Sequence, residues 1–236
     1  MTEKNEKVFK EPDDTEEYLY RESLSLLNTL RQSSGSSVEP YITGAGKFLD
    51  LAAGTGVYSI FLAEKYPSSQ FICMEPDPVS REVAERISAR NGVNLTIIGG
   101  TADKIPYEDN TFDYIIIRKA LQYFTPVDRC FSELHRVLKN GGVCFIIKHI
   151  NFPAYPLFHL LRFGDFDFFT KKGSYKYLKI WISSGKAARL LRRASFSDVE
   201  IVPTDFMGRD ISGLKKRFLK RVLAPYAVKP FIIARK

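Results

Sequence analysis

The stretch Lys47-Phe48-Leu49-Asp50-Leu51-Ala52-Ala53-Gly54-Thr55-Gly56-Val57-Tyr58-Ser59-Ile60-Phe61 constrains this chain more than any other. A short apolar run closes on small residues, and Val57, Ile60 and Phe61 follow at helical spacing, which predicts a buried strand, a tight turn and a helix. Gly54 and Gly56 let the backbone turn sharply and let a ligand approach the main chain where a Cβ would block it. The unpaired N–H groups of the first helical turn then face that ligand. A dinucleotide fingerprint needs a third glycine in G-x-G-x-x-G. Here Ser59 holds that place, and Asp50, in the strand's last turn, would repel a pyrophosphate. A carboxylate there suits a ligand carrying a cationic amino group.

Strand and helix patterns alternate along the rest of the chain. Gln70 to Met74 reads as a second strand and Asn94 to Ile98 as a third; between them, Asp77 before Pro78 reads as an N-cap with proline at the first helical position. Tyr114 to Ile117 is a continuous apolar run, as expected of a central parallel strand covered on both faces. Thr125-Pro126-Val127-Asp128 reads as a helix start, with a cap and a proline in the first turn, and Asn140-Gly141-Gly142 as its stop. Val143 to Lys148 is the fifth strand and ends at His149. Ser183 or Ser184 caps a helix through Arg193, Asp198 to Pro203 and Pro230 to Ala234 read as strands, and Ile211 to Leu223 as a helix with one basic face. Ahead of all this, Asp14 to Arg31 has Tyr20, Leu24, Leu27 and Leu30 at helical spacing, and SSGSSVEPYITGAG reads as a linker.

The run Asp50-x-Ala52-x-Gly54-x-Gly56 resembles motif I of the class I S-adenosylmethionine-dependent methyltransferases, with Ala52 in place of the first glycine. The core is similar to the ubiquinone and menaquinone type, from about Lys47 to the C-terminus. The resemblance implies an α/β, Rossmann-like, doubly wound seven-stranded sheet, mostly parallel with an antiparallel last strand, and helices on both faces. It implies S-adenosyl-L-methionine as cofactor. Its methionine end would lie on Asp50, Ala52, Gly54, Thr55 and Gly56, with its ribose on Glu75, beside Pro76. Gly100-Thr101-Ala102-Asp103 resembles the family's adenine station, where the Ala102 N–H meets the ring edge; Thr101 replaces the commoner acid, which leaves open whether Asp103 reads the exocyclic amine. Arg118 departs from the small or neutral residue common in the family and needs an anion: the methionine carboxylate, an acidic substrate or a surface salt bridge.

Substrate contacts implied by the resemblance are Tyr18 and Tyr20 from the N-terminal helix, with ordinary packing as the alternative, and Tyr123 after the fourth strand. Phe152 and Tyr155 come from the aromatic segment 151–182, which reads as a lid. His149 is the one candidate general base, since imidazole accepts a proton near neutral pH. No His/Cys/Asp/Glu cluster has metal-ligand spacing, so no metal is expected. The expected organisation is residues 1–46 as arm and cap helix and 47–236 as the methyltransferase domain.

Hydrophobic residues at 44% and charged residues at 26% suit one large folded domain in 236 residues. No run approaches the ~18 apolar residues of a membrane span, and the charged N-terminus carries no secretory core. Cys73, Cys130 and Cys144 are scattered, as fits a reducing cytoplasm. The expected reaction is methyl transfer to a small, apolar or aromatic acceptor. A net charge of +8, concentrated late in the chain, keeps RNA or protein methylation as an alternative, although Arg118-Lys119-Ala120-Leu121 stands where amino-directed nucleic-acid enzymes carry N-P-P-Y. A non-enzymatic cofactor-binding protein is the other alternative. Oligomeric state is left open.

Overall fold

The structure is a computed structural model that describes residues 15–32, 38–147, 182–202 and 231–236. His149, Phe152, Tyr155, all of the segment 151–182 but Ile182, the N-terminal arm and the Ile211 to Leu223 stretch lie outside the described residues.

Apolar runs that bury both faces form the middle of a sheet, and those that alternate form its edge. β1 (Lys47–Leu51), β2 (Gln70–Met74) and β4 (Phe112–Arg118) are the buried runs; β3 (Thr96–Ile98) is the short, half-buried edge. β5 (Leu138–Ile147), β6 (Asp198–Val202) and β7 (Phe231–Arg235) complete seven strands in the order β3-β2-β1-β4-β5-β7-β6. The first five pair in parallel, and β7 runs antiparallel between β5 and β6. This is the expected doubly wound sheet, with its order reversing between β1 and β4, where such sheets bind ligands.

Helices cover both faces. On one, α1 (Thr15–Gln32), α2 (Val57–Lys65) and α3 (Pro78–Arg90) pack on Phe48, Tyr114, Ile116 and Phe145. On the other, α4 (Val127–Val137) and α5 (Ser184–Arg193) pack on Leu49, Leu51, Ile115 and Ile117. The alternation along β1 and β4 sends successive side chains to opposite sides.

Asp77 caps α3 by accepting from the Ser80 N–H at 2.8 Å, and Ser183 caps α5 by accepting from Lys186 N–H, both as read from the sequence. Three local expectations are corrected. Thr125 does not cap α4: Pro126 stands at the cap position with no side-chain bond, and the helix begins at Val127. That helix stops at Val137, before Asn140, because Leu138 already has extended backbone and pairs with Phe112. The second half of the linker is a wall of the core. Val38 is fully buried, Glu39–Tyr41 forms a 3-10 turn, and the Tyr41 ring packs on Phe145 and Phe231.

Ser195 joins α5 to β6 with φ of 72°, a conformation that disfavours a Cβ. Ser195→Gly should therefore raise the unfolding free energy by about 0.5–1 kcal/mol, the relief of that strain offset by glycine's greater unfolded entropy. A urea midpoint that moved down would contradict this.

Candidate active site

At the carboxyl edge of the sheet the backbone is bent into the left-handed region at Ala52 (φ 54°), Gly54 (φ 57°) and Gly56 (φ 66°). The two glycines serve different ends. A Cβ on Gly54 would meet nothing within 4 Å, so this turn faces open space, whereas a Cβ on Gly56 would press on Ala84 Cβ at 3.4 Å. Ala52 carries a Cβ in the same conformation, a local strain of the kind that marks ligand turns. The place where the family pattern has glycine thus has a backbone reason that the sequence could not state.

Two carboxylates hold this loop from behind. Glu75 is buried at the end of β2; its Oε2 accepts from the Gly54 N–H at 2.8 Å and its Oε1 from the Asp77 N–H at 3.1 Å. Asp50 is 2% exposed and its Oδ2 accepts from the Ser59 hydroxyl at 2.7 Å. Ser59, which replaces the third glycine, is thus the partner of the acid in the strand. Burial pushes the Asp50 carboxyl up to about 6, and the Glu75 charge adds to that, while the Ser59 bond and the Arg118 charge oppose it. Thr55 is tied to the N-terminal helix, its hydroxyl 2.6 Å from that of Ser23.

A cavity of about 250 Å³ opens beside the loop, lined by Leu51, Ala52, Pro76, Gly100 and Thr101 and by Ala102, Asp103, Tyr123, Phe124, Thr125 and Cys130. Its walls suit a flat heterocycle with a polar rim. A hydrogen bond from Thr101 holds the Asp103 carboxyl below its usual range, so an ionised acceptor stands at that rim. Met74 lies so near Gly100 that a Cβ there would come within 2.9 Å of its sulfur, so the methionine side chain would have to shift to admit one. A larger groove of about 740 Å³, which includes Lys47, Gln70 and Thr96, lies at the opposite edge, where the strands begin. Sheets of this kind bind at the carboxyl ends of their strands, so the smaller cavity is the candidate site.

The structure thus brings Ala52, Pro76, Thr101, Ala102, Asp103 and Tyr123 to one cavity. Asp50, Gly54, Gly56 and Glu75 stand beside it in the loop and its support. Tyr20 is not brought there: it is buried against α3, its hydroxyl accepting from Arg90 at 2.9 Å and its ring under Arg86. Tyr18, half exposed on the same helix, does not line the cavity either. Arg118 makes no surface salt bridge with a described residue; its guanidinium lies over the Tyr58 ring, 5.3 Å from the centroid. Phe124 belongs to the segment after the fourth strand where the resemblance implies ligand contacts, whereas Thr125 and Cys130 are lining residues that the sequence does not reveal, because they look like a helix cap and the apolar face of a helix.

Gln122 is a further residue that spacing does not reveal. It is 4% exposed; its amide nitrogen donates to the Lys119 carbonyl, and its carbonyl oxygen has no partner among the described residues. Because a carbonyl can only accept, the atom facing Lys119 must be the nitrogen, and the orphan is an acceptor. Among the described residues no group of three His, Cys, Asp or Glu could hold a metal, and no helix is long and apolar enough to cross a membrane.

Residues 49–146 match the family model described as a methyltransferase domain. Among curated proteins, the chain is 30% identical over 182 residues to a demethylmenaquinone methyltransferase of Thermobifida fusca, covering 72% of this chain and 75% of that one. It is 29% identical over 158 residues to a 2-methyl-6-phytyl-1,4-hydroquinone methyltransferase of Oryza sativa subsp. japonica, covering 66% of this chain and 42% of that one. The chain thus spans well under two thirds of the rice protein's length. The solved structure of an S-adenosylmethionine-dependent methyltransferase from Thermotoga maritima shares the fold, with a TM-score of 0.60 at 21% identity over 93% of this chain and 92% of that one. With motif I, the acid after β2 and the turn after β3 meeting at one sheet edge, the chain belongs to the class I S-adenosylmethionine-dependent methyltransferases.

Proposed function

We propose that this protein binds S-adenosylmethionine along the carboxyl edge of its sheet and transfers the methyl group to a small, apolar or aromatic acceptor. The observation that carries the reading is the cavity between Ala52, Pro76 and Ala102, beside a glycine turn whose Gly54 N–H is latched by Glu75. Relatives whose names specify quinone-type and hydroquinone acceptors support the substrate class.

The cofactor supplies an electrophilic methyl on a sulfonium, so the hard chemistry is already in that group. In this reading Ala102 and Asp103, beside Thr101, hold the base. The remaining lone pairs of Glu75 hold the ribose near Pro76. Asp50 and the turn from Ala52 through Thr55 to Gly56 hold the amino-acid end. Tyr123, at the cavity's wall, is a candidate for contact with the acceptor; Phe152 and Tyr155 as further acceptor contacts and His149 as base remain candidates that lie outside the described residues. Aligning the acceptor can supply on the order of 7–11 kcal/mol, and a base about 10²–10⁴-fold. Buried, unpaired Cys73, Cys130 and Cys144 support a reducing, cytoplasmic setting.

Titration calorimetry with S-adenosylhomocysteine tests the cofactor; absence of binding would sink the reading. Labelled methyl transfer to a panel of phenols and hydroquinones tests the acceptor class. A pH series tests Asp50. An ammonium group needs the ionised carboxylate, whose titration point is about 6. Affinity should therefore fall about tenfold per pH unit below that point and level off above it. Asp50→Asn should bind more weakly and flatten the profile; an unchanged slope in that variant would reassign the titrating group.

A further inference from the structure

We infer that Arg118 selects methyl acceptors that carry a carboxylate, which its guanidinium binds at the end of β4. This deepens the reading above and rests on it.

Asp50 of β1 pairs with Ile116 of β4, so Arg118, two residues further on, projects to the same face, toward α2. There the guanidinium meets the Tyr58 ring and feels the Asp50 charge, yet it forms no ion pair or hydrogen bond with a described residue. Asp50 is already engaged by Ser59. Burial depresses the arginine's proton affinity, and the nearby Tyr58 and the Asp50 charge only partly restore it. Among the described residues this half-buried cation has the Asp50 charge nearby but no ion-pair partner of its own. Its planar fork of five N–H donors matches a carboxylate in bidentate geometry, and a ring beneath it fixes its plane.

Position along the edge says where that carboxylate comes from. The cofactor stations follow β3, β2 and β1 in turn, and Arg118 ends the next strand, opposite Ile147 of β5. Strands stand about 4.8 Å apart, so Arg118 lies roughly one strand spacing beyond the glycine turn, on the side away from the adenine cavity. An acceptor that is to meet the methyl has to lie on that side, over the ends of β4 and β5.

The test titrates 2-naphthoate and its neutral isostere 2-naphthamide into protein loaded with S-adenosylhomocysteine, for wild type, Arg118→Gln and Arg118→Lys. Wild type should prefer naphthoate by about tenfold or more, and Arg118→Gln should lose the preference. Arg118→Lys keeps the charge without the fork, so its preference should fall to about threefold, which carries the test if the glutamine variant does not fold. At pH 8, where the Asp50 carboxyl is ionised in wild type and variants alike, affinity for S-adenosylhomocysteine should stay within about threefold of wild type in both variants. The inference is overturned if wild type shows no preference, or if the preference survives Arg118→Gln. It is also overturned if the variant loses S-adenosylhomocysteine by about tenfold or more, since Arg118 would then hold the cofactor's own carboxylate. Failure of wild type to bind S-adenosylhomocysteine would instead remove the cofactor reading itself.

Discussion

Replacing Phe48 with alanine is expected to lower the unfolding free energy by about 3–5 kcal/mol, the range for deleting a buried aromatic side chain. Phe48 sits in the central strand with no exposed surface, and its ring centroid is 4.5 Å from that of Phe71 on β2 and 4.5 Å from that of Tyr114 on β4. The ring therefore stitches three adjacent strands on one face, and no neighbour can move in without breaking a strand pairing. Tyr123→Ala, at a residue 40% exposed, is the control and should change stability by less than about 0.5 kcal/mol. Urea unfolding of both variants decides the matter. A Phe48→Ala loss below about 1 kcal/mol would mean that the face is not packed in this way.

Glu75→Ala should weaken binding of S-adenosylhomocysteine by about 1.5–3 kcal/mol, the value of hydrogen bonds to a charged group. The structure adds a second reason beyond the ribose. With the carboxylate gone, the Gly54 and Asp77 N–H groups lose their acceptors, and only the Ala53 N–H to Met74 carbonyl bond still ties the glycine turn to β2. Glu75→Gln keeps one acceptor oxygen and should fall between alanine and wild type. Calorimetry on all three, with thermal melts to separate binding from folding, gives the answer; wild-type affinity in Glu75→Ala would show the assignment to be mistaken.

Much of the frame is legible from local chemistry. Asp77-Pro78 announces a helix start because cap and proline act within one turn, and the apolar runs of β1, β2 and β4 announce buried strands because both faces need covering. Thr125 looked as good a cap as Ser183, but a cap is a matter of backbone direction, and at α4 the chain enters with Pro126 in the capping place. Tyr41 looked like part of a linker because nothing within ten residues of it reveals Phe145 or Phe231. Tyr20 reads as a substrate contact or as ordinary packing, and in the structure its ring and hydroxyl lie against Arg86 and Arg90 of α3.

The amino-acid sequence by itself determined the alternation of strands and helices, the glycine turn after β1 and the acid after β2, since each depends on periodicity or on one residue's backbone freedom. Only the tertiary structure decided that Asp50 is buried against Ser59, that Glu75 latches Gly54, and that Arg118 stands over Tyr58 with no ion-pair partner among the described residues. Those facts depend on which strands are neighbours. Charge, burial and hydrogen bonding are settled by groups far apart in the chain, and strand pairing is what brings them within reach.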